Sequence, residues 1–436
     1  MSADSERDAI LRLLPNYVQA QWPAAKFIPG VSRVLTNGRV FDLWEIQNLV
    51  DAALDFWLTS DRYSEQFERG LEEFLHIREA ILCNSGSSAN LLAISALTSR
   101  ELRGLALKPG DEVITVAAGF PTTVSGIVQN GLVPVFVDVE LDTYNIDVRL
   151  LHEAYSANTR AVMLAHTLGH PFYLDAVTKF CEKYGLWLIE DNCDALGSKY
   201  NDRYTGTFGD LATQSFFPAH HITTGQGGAV VTQRPKLANL VRSFRDWGRS
   251  CWCLPGKENT CGRRYDWRLG DLSEGYDHKY MYTHIGYNME MTDLQAAIGY
   301  AQLDKLQGFI DVRRRNWHLL RDGLADLDAF FVMPCELEHT EPSWFGFALR
   351  VQPEMPFTRL DVLKYLNSKK IDAKLLFAGN LTKQPAYRDV KYRVVGQLTN
   401  TDDVMSNVFW IGVYPGLSVE AIEYVIEIMH DFAELQ

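Results

Sequence analysis

Between about residues 80 and 235 the chain alternates short β-branched runs with amphipathic stretches, and no other feature restricts its fold as strongly. Val113 to Ala117, Val133 to Val139, Ala161 to Ala165 and Leu186 to Ile189 read as buried strands. Leu91 to Leu97 and Leu174 to Tyr184 read as helices between them. Apolar strands separated by helices pair in parallel, because parallel neighbours need a long crossover and both faces of such a sheet are covered. The expected fold class is therefore α/β, a mostly parallel sheet flanked by helices. At 436 residues the chain exceeds one average domain. We expect a large domain over 1–324, with a helical segment over about 1–75, and a smaller C-terminal α/β domain over 325–436. Thr292 to Gly323 reads as one long helix connecting the two. Residues 247–284 break the pattern with cysteines, glycines and aromatics, which suggests a functional insertion.

A formal net charge of −13 argues against a protein held on nucleic acid or anionic membrane by non-specific attraction. The amino-terminal MSADSERDAILRLL has no signal-peptide core, and no run is long enough to span a bilayer, so a cytoplasmic enzyme is expected. In that setting the seven cysteines read as free thiols or metal ligands.

Three motifs carry chemistry. Ser85-Gly86-Ser87-Ser88-Ala89-Asn90 precedes an apolar helical run. Its amides and hydroxyls thus sit at a helix N-terminus, which suits a phosphate as well as simple capping. Asp191 ends the apolar run Leu186-Trp187-Leu188-Ile189-Glu190, and open α/β sheets bind ligands at the carboxyl ends of their strands. The third is the loop Ser215-Phe216-Phe217-Pro218-Ala219-His220-His221-Ile222-Thr223-Thr224-Gly225-Gln226-Gly227-Gly228.

That loop resembles the lysine loop of the DegT/DnrJ/EryC1/StrS sugar aminotransferase family, in which the Schiff-base lysine follows the serine by five residues. Here that place is His220, and no lysine lies between Tyr200 and Pro235. An imidazole can move protons but cannot bind pyridoxal phosphate covalently, so the cofactor would be held as the amine, pyridoxamine 5'-phosphate (PMP). The resemblance implies the type I aminotransferase fold and a homodimer. It makes Gly86 and Ser87 the phosphate cradle, with Ser215 and the partner subunit's Asn288 as further contacts. It also assigns Asp191 to the pyridine nitrogen, Phe120 to the ring face and His220 to catalysis as the base, with Asp194 in supporting contact with the cofactor site. It covers nearly the whole chain, from Leu54-Asp55-Phe56-Trp57-Leu58-Thr59 to Phe409-Trp410-Ile411-Gly412-Val413-Tyr414-Pro415-Gly416.

Cys251, Cys253 and Cys261 cluster in a loop containing Pro255-Gly256, and Cys193 lies two residues after Asp191. Four such thiols suit zinc or an iron–sulfur cluster. The spacing resembles the iron–sulfur 3-dehydrase branch of the family, which implies a [2Fe-2S] cluster on Cys193, Cys251, Cys253 and Cys261. Cys83, Cys181 and Cys335 read as packing thiols.

The resemblance further implies removal of the C3 hydroxyl from a nucleotide-linked 4-keto-6-deoxyhexose, with CDP the expected nucleotide and a dTDP-linked 2,6-dideoxy sugar the alternative. Electrons would come from a flavin and iron–sulfur reductase, a ferredoxin or a flavodoxin. Arg249 and Lys279 could meet the diphosphate, although solvated surface roles are the plainer reading. The rival readings are an ordinary aminotransferase, a cluster-free dehydratase, and a zinc-stapled binding protein that lost its chemistry.

Overall fold

The computed structural model describes residues 3–23, 26–253 and 259–436. Eight strands form the main sheet in the order β1 (Glu79–Cys83), β9 (Gly228–Thr232), β8 (Leu211–Ser215), β5 (Trp187–Asp191), β4 (Thr159–Ala165), β2 (Glu112–Val116), β3 (Val133–Val137) and β14 (Arg393–Val394). From β8 to β14 every neighbour is parallel. Strand β9 is antiparallel to both β1 and β8, so β1 and β8 run the same way. The carboxyl ends of β1, β2, β4, β5 and β8 therefore share one edge of the sheet. The turns that follow those strands carry the sequence motifs, which is how residues a hundred positions apart come together.

The sheet holds because both faces are covered. Every residue of β2, β3, β5, β8 and β9 is buried. Each fully buried Val, Leu or Ile stabilises the fold by about 1.5–3 kcal/mol before entropy is charged. The helices Gly86–Leu97 and Pro235–Arg245 pack with Ile81, Val113, Ile189 and Val230 on one side. On the other side the helix Leu174–Tyr184 joins a core with Val135, Val162 and Leu188.

A second core lies under an antiparallel sheet of β10 (Phe331–Val332), β12 (Gly346–Val351), β15 (Val408–Gly412) and β13 (Ala373–Leu375). Trp317 and Trp344 stack at 4.3 Å at its centre. Val34 from the N-terminal arm packs into this core, while β14 returns to the main sheet, so the chain crosses between the two cores. A short ribbon of β6 (Lys199–Tyr200), β7 (Arg203–Tyr204) and β11 (Thr340–Glu341) also bridges them.

The single helix expected over Thr292 to Gly323 is instead two, Asp293–Leu303 and Leu306–Gly323. At the break Lys305 Nζ lies 2.7 Å from both carboxylate oxygens of buried Glu45, to which Gln302 also donates. A tie to a side chain 260 positions away is invisible to local periodicity. Within 247–284 the described residues form turns and one 3₁₀ segment, His278–Tyr280. The insertion is pinned at its base by Asp246 against Asn288 and Arg249 against Tyr282, and Trp267 stacks on His278 at 4.5 Å. Pro255-Gly256 lies outside the described residues. Among the described residues no helix is long and apolar enough to cross a membrane.

Candidate active site

Ser85 caps the helix Gly86–Leu97 by accepting the Ser88 N–H at 3.0 Å, and the other first-turn amides open toward the shared sheet edge. Gly86 is required by packing: a Cβ there would lie 2.7 Å from Ser215 Oγ and 3.2 Å from Cys193 Sγ. The helix dipole, the Gly86 backbone and the Ser215 hydroxyl thus converge as an anion site.

Asp191, at the end of β5, is buried and held by partners that accept no change of rotamer. Its Oδ2 accepts from Asn90 Nδ2 at 2.9 Å and Thr123 Oγ1 at 2.7 Å, and its Oδ1 accepts from the Cys193 N–H at 3.2 Å. Such a fixed acceptor can hold a proton on a ring nitrogen that faces it.

His220 Nε2 lies 3.3 Å from Asp194 Oδ1. Burial raises the Asp194 carboxyl, and the His220 pair opposes that shift. With Nε2–H donating to Asp194, the lone pair is left on Nδ1, which is buried and has no partner. His221 also leaves a buried Nδ1 without a partner, but it does not line the cavity that His220 lines. Its Nε2 donates to the Ser343 carbonyl at 2.7 Å, and burial, reinforced by Arg313, holds its pKa well below the ordinary histidine value. Arg313 is itself buried, with a pKa drawn down to about 9 by desolvation against the pull of Asp194. It donates to the His220 carbonyl at 3.2 Å and the Trp344 carbonyl at 3.1 Å, which fixes the backbone of the loop.

The helix start, Asp191, Asp194, Ser215 and His220 open into one cavity of about 480 Å³, a volume suited to a cofactor with part of a substrate. Gly86, Ser87, Phe120 and Asp191 line it, as do Cys193, Asp194, Ser215 and His220. Asn288 does not; it is exposed beside the base of the insertion. Arg249 is also outside it, with its guanidinium over Trp247. Five lining residues from the C-terminal region were not foreseen: Phe345, Lys374, Leu375, Phe377 and Trp410. No local motif marks them, since only the docking of the second sheet brings them to the site.

The residues present fit PMP. They offer a phosphate cradle whose space a Cβ would fill, a buried carboxylate for the ring nitrogen, and an unpartnered imidazole nitrogen. The four cysteines are a different case. Cys251, Cys253 and Cys261 neighbour one another. Burial raises Cys253, but hydrogen bonds with Thr260, the Cys261 backbone and the two other thiols outweigh it and bring its pKa to about 7. Cys193 is instead enclosed in the cofactor cavity, 4.0 Å from Thr213 Oγ1. Among the described residues no three His, Cys, Asp or Glu side chains converge as ligands of one metal. Among the described residues, then, the four thiols are not gathered as one ligand set.

A phosphate cradle facing a strand-end carboxylate across one edge of a mostly parallel sheet is the arrangement of the type I aminotransferase fold, and that is the class of this protein. Residues 42–430 match the DegT/DnrJ/EryC1/StrS aminotransferase family, and the chain belongs to it. It is 50% identical over 432 residues to the lipopolysaccharide biosynthesis protein RfbH of Salmonella typhimurium, spanning 99% of each chain. It is 49% identical to the dTDP-4-dehydro-2,6-dideoxy-D-glucose 3-dehydratase of Saccharopolyspora spinosa, over 98% of this chain and 92% of the relative. Among solved structures it resembles the E. coli GDP-4-keto-6-deoxy-D-mannose-3-dehydratase with bound hydrated PLP, with a TM-score of 0.82 and 28% identity over 91% of this chain and 98% of that one.

Proposed function

We propose that this chain is a PMP-dependent 3-dehydratase acting on a nucleotide-linked 4-keto-6-deoxyhexose. The observation that carries this reading is His220, an imidazole paired with Asp194 and free at Nδ1, in the loop position where an aminotransferase needs a lysine. When bound, PMP supplies an amine that condenses with a sugar ketone and a ring that stores an electron pair. The Gly86 backbone, Ser87 and Ser215 would hold its phosphate, Phe120 would cover the ring, and Asp191 would keep a proton on the ring nitrogen. With PMP in the cavity, His220 would be the group placed to carry a proton from the cofactor to the departing C3 hydroxyl, and Asp194 would hold the imidazole in position for it. Phe345 and Trp410, with the Trp410 indole N–H donating to the Leu375 carbonyl at 3.1 Å, wall the sugar from water.

The finer parts of the reading are a CDP-linked substrate, a homodimer in which the partner subunit's Asn288 reaches the phosphate, a [2Fe-2S] cluster, and an external reductase. The cysteine spacing and the contact among Cys251, Cys253 and Cys261 support the cluster. Because the described residues of one chain do not form its ligand set, no step is routed through it. A dTDP-linked 2,6-dideoxy sugar is the second reading, favoured by the name and 49% identity of the Saccharopolyspora relative.

Anaerobic protein, analysed for iron, acid-labile sulfide and PMP, with EPR spectra before and after dithionite, tests the proposal. Two irons and two sulfides per chain, a reducible signal and tightly held PMP are expected. Bound PMP without iron or sulfide would leave a cluster-free dehydratase. Zinc with no PMP would leave only a binding protein.

A further inference from the structure

The cavity takes its two walls from different parts of the chain, and the walls differ in chemistry. The sheet edge contributes the carboxylates Asp191 and Asp194. The C-terminal wall is apolar except for Lys374, the one lysine or arginine lining the cavity among the described residues. The chain as a whole carries a net charge of −13, so its field repels a polyanionic ligand unless a cation meets it locally. Lys374 lies on β13 opposite Trp410 of β15. Ala373 beside it packs toward the C-terminal core, and strand alternation turns Lys374 the other way, toward the cavity. Among the described residues its ammonium has no ion pair or hydrogen bond within the chain, so it is not spent on holding the fold.

We infer that Lys374 receives the diphosphate of the nucleotide-linked substrate. This rests on the dehydratase reading and adds the residue that carries substrate charge. The sugar would lie along Phe345 and Trp410, with its ketone toward His220 and its diphosphate outward at Lys374. A flexible ammonium suits this task, since it meets a phosphate as a point charge without imposing a bidentate geometry. No feature of Lys374 selects a base, so the contribution is the same for any nucleotide.

The test is calorimetric titration of PMP-loaded protein with CDP, dTDP and GDP, comparing the wild type with Lys374→Gln and Lys374→Arg. Loss of one charge-assisted contact is expected to weaken the best-bound diphosphate about ten- to a hundredfold in Lys374→Gln. Lys374→Arg should stay within about threefold, because the charge is retained. Raising the salt concentration should shrink the difference. PMP affinity and thermal midpoint should be unchanged, which a merely structural lysine would not guarantee. Equal diphosphate binding by wild type and Lys374→Gln overturns the inference while leaving the dehydratase reading intact. A penalty confined to one base also overturns it. Failure of the wild type to bind any of the three would overturn both.

Discussion

Replacing Gly86 by Ala probes the phosphate end of the site through a single carbon. The added Cβ would sit 2.7 Å from Ser215 Oγ and 3.2 Å from Cys193 Sγ. Ordinary contact begins near 3.4 Å, so the serine hydroxyl is displaced or the helix start is pushed away from β8. Either outcome removes about one charge-assisted hydrogen bond to the cofactor phosphate, worth about 1.5–3 kcal/mol, or roughly 10- to 150-fold in PMP affinity. The crowding itself costs about 1–3 kcal/mol of stability, as overpacking in a closed site does. Titration of PMP by absorbance measures the first effect and thermal unfolding of the cofactor-free protein the second. In PMP affinity the Gly86→Ala, Ser215→Ala double variant should lose less than the sum of the single variants, because the added methyl crowds the same serine, whose Cβ and hydroxyl are its nearest neighbours. PMP affinity within twofold of wild type would refute the cradle, and strictly additive losses would refute the shared contact.

Three more outcomes follow from named side chains. His220→Lys should bind pyridoxal phosphate as a borohydride-reducible imine and lose C3 deoxygenation by at least about a hundredfold; normal deoxygenation would remove His220 as the base. Asp194→Asn should lower kcat at least about tenfold with PMP affinity nearly unchanged, so a large loss of cofactor instead would make Asp194 a binding residue. Asp51 lies against Arg7 and Arg62 and accepts from the Tyr63 hydroxyl at 2.8 Å. Burial raises this carboxyl, but Arg62, Tyr63 and Arg7 outweigh it and lower its pKa. A lowered folded pKa contributes stability above the unfolded value of about 3.9 and loses it as pH falls through the folded value. Both arginines are partly exposed, so Asp51→Asn should cost only about 0.5–1 kcal/mol at pH 7. Its gap from wild type in urea unfolding should narrow as pH falls below about 4; a gap that does not change with pH would point to packing.

Much of the fold was legible because strands and helices of an α/β domain carry their own periodicity. The helix read from Leu174 to Tyr184 has those bounds, and the runs at Val113, Val133, Ala161 and Leu186 fall on β2, β3, β4 and β5. The site was legible where a backbone needs a particular residue: Gly86 at a close approach, Asp191 at a strand end, His220 at a set distance from Ser215. Periodicity failed at Lys305, where one helix ends and the next begins beside a carboxylate from the N-terminal region.

The sequence by itself determined the chemistry available, since the absence of lysine from the loop after Ser215 bars a covalent cofactor there whatever surrounds it. It also determined the sheet, because hydrophobic periodicity is local. Only the tertiary structure decided which histidine meets the cavity: both keep an unpartnered Nδ1, but His220 lines the cavity beside Asp194, whereas His221 is tied to the Ser343 carbonyl outside it. It alone put Lys374 and Trp410 opposite Asp191, and it left Cys193 apart from the other three thiols within one chain. Those relations join residues tens to hundreds of positions apart, and they arise where the two sheets meet around the cavity, which no local pattern encodes.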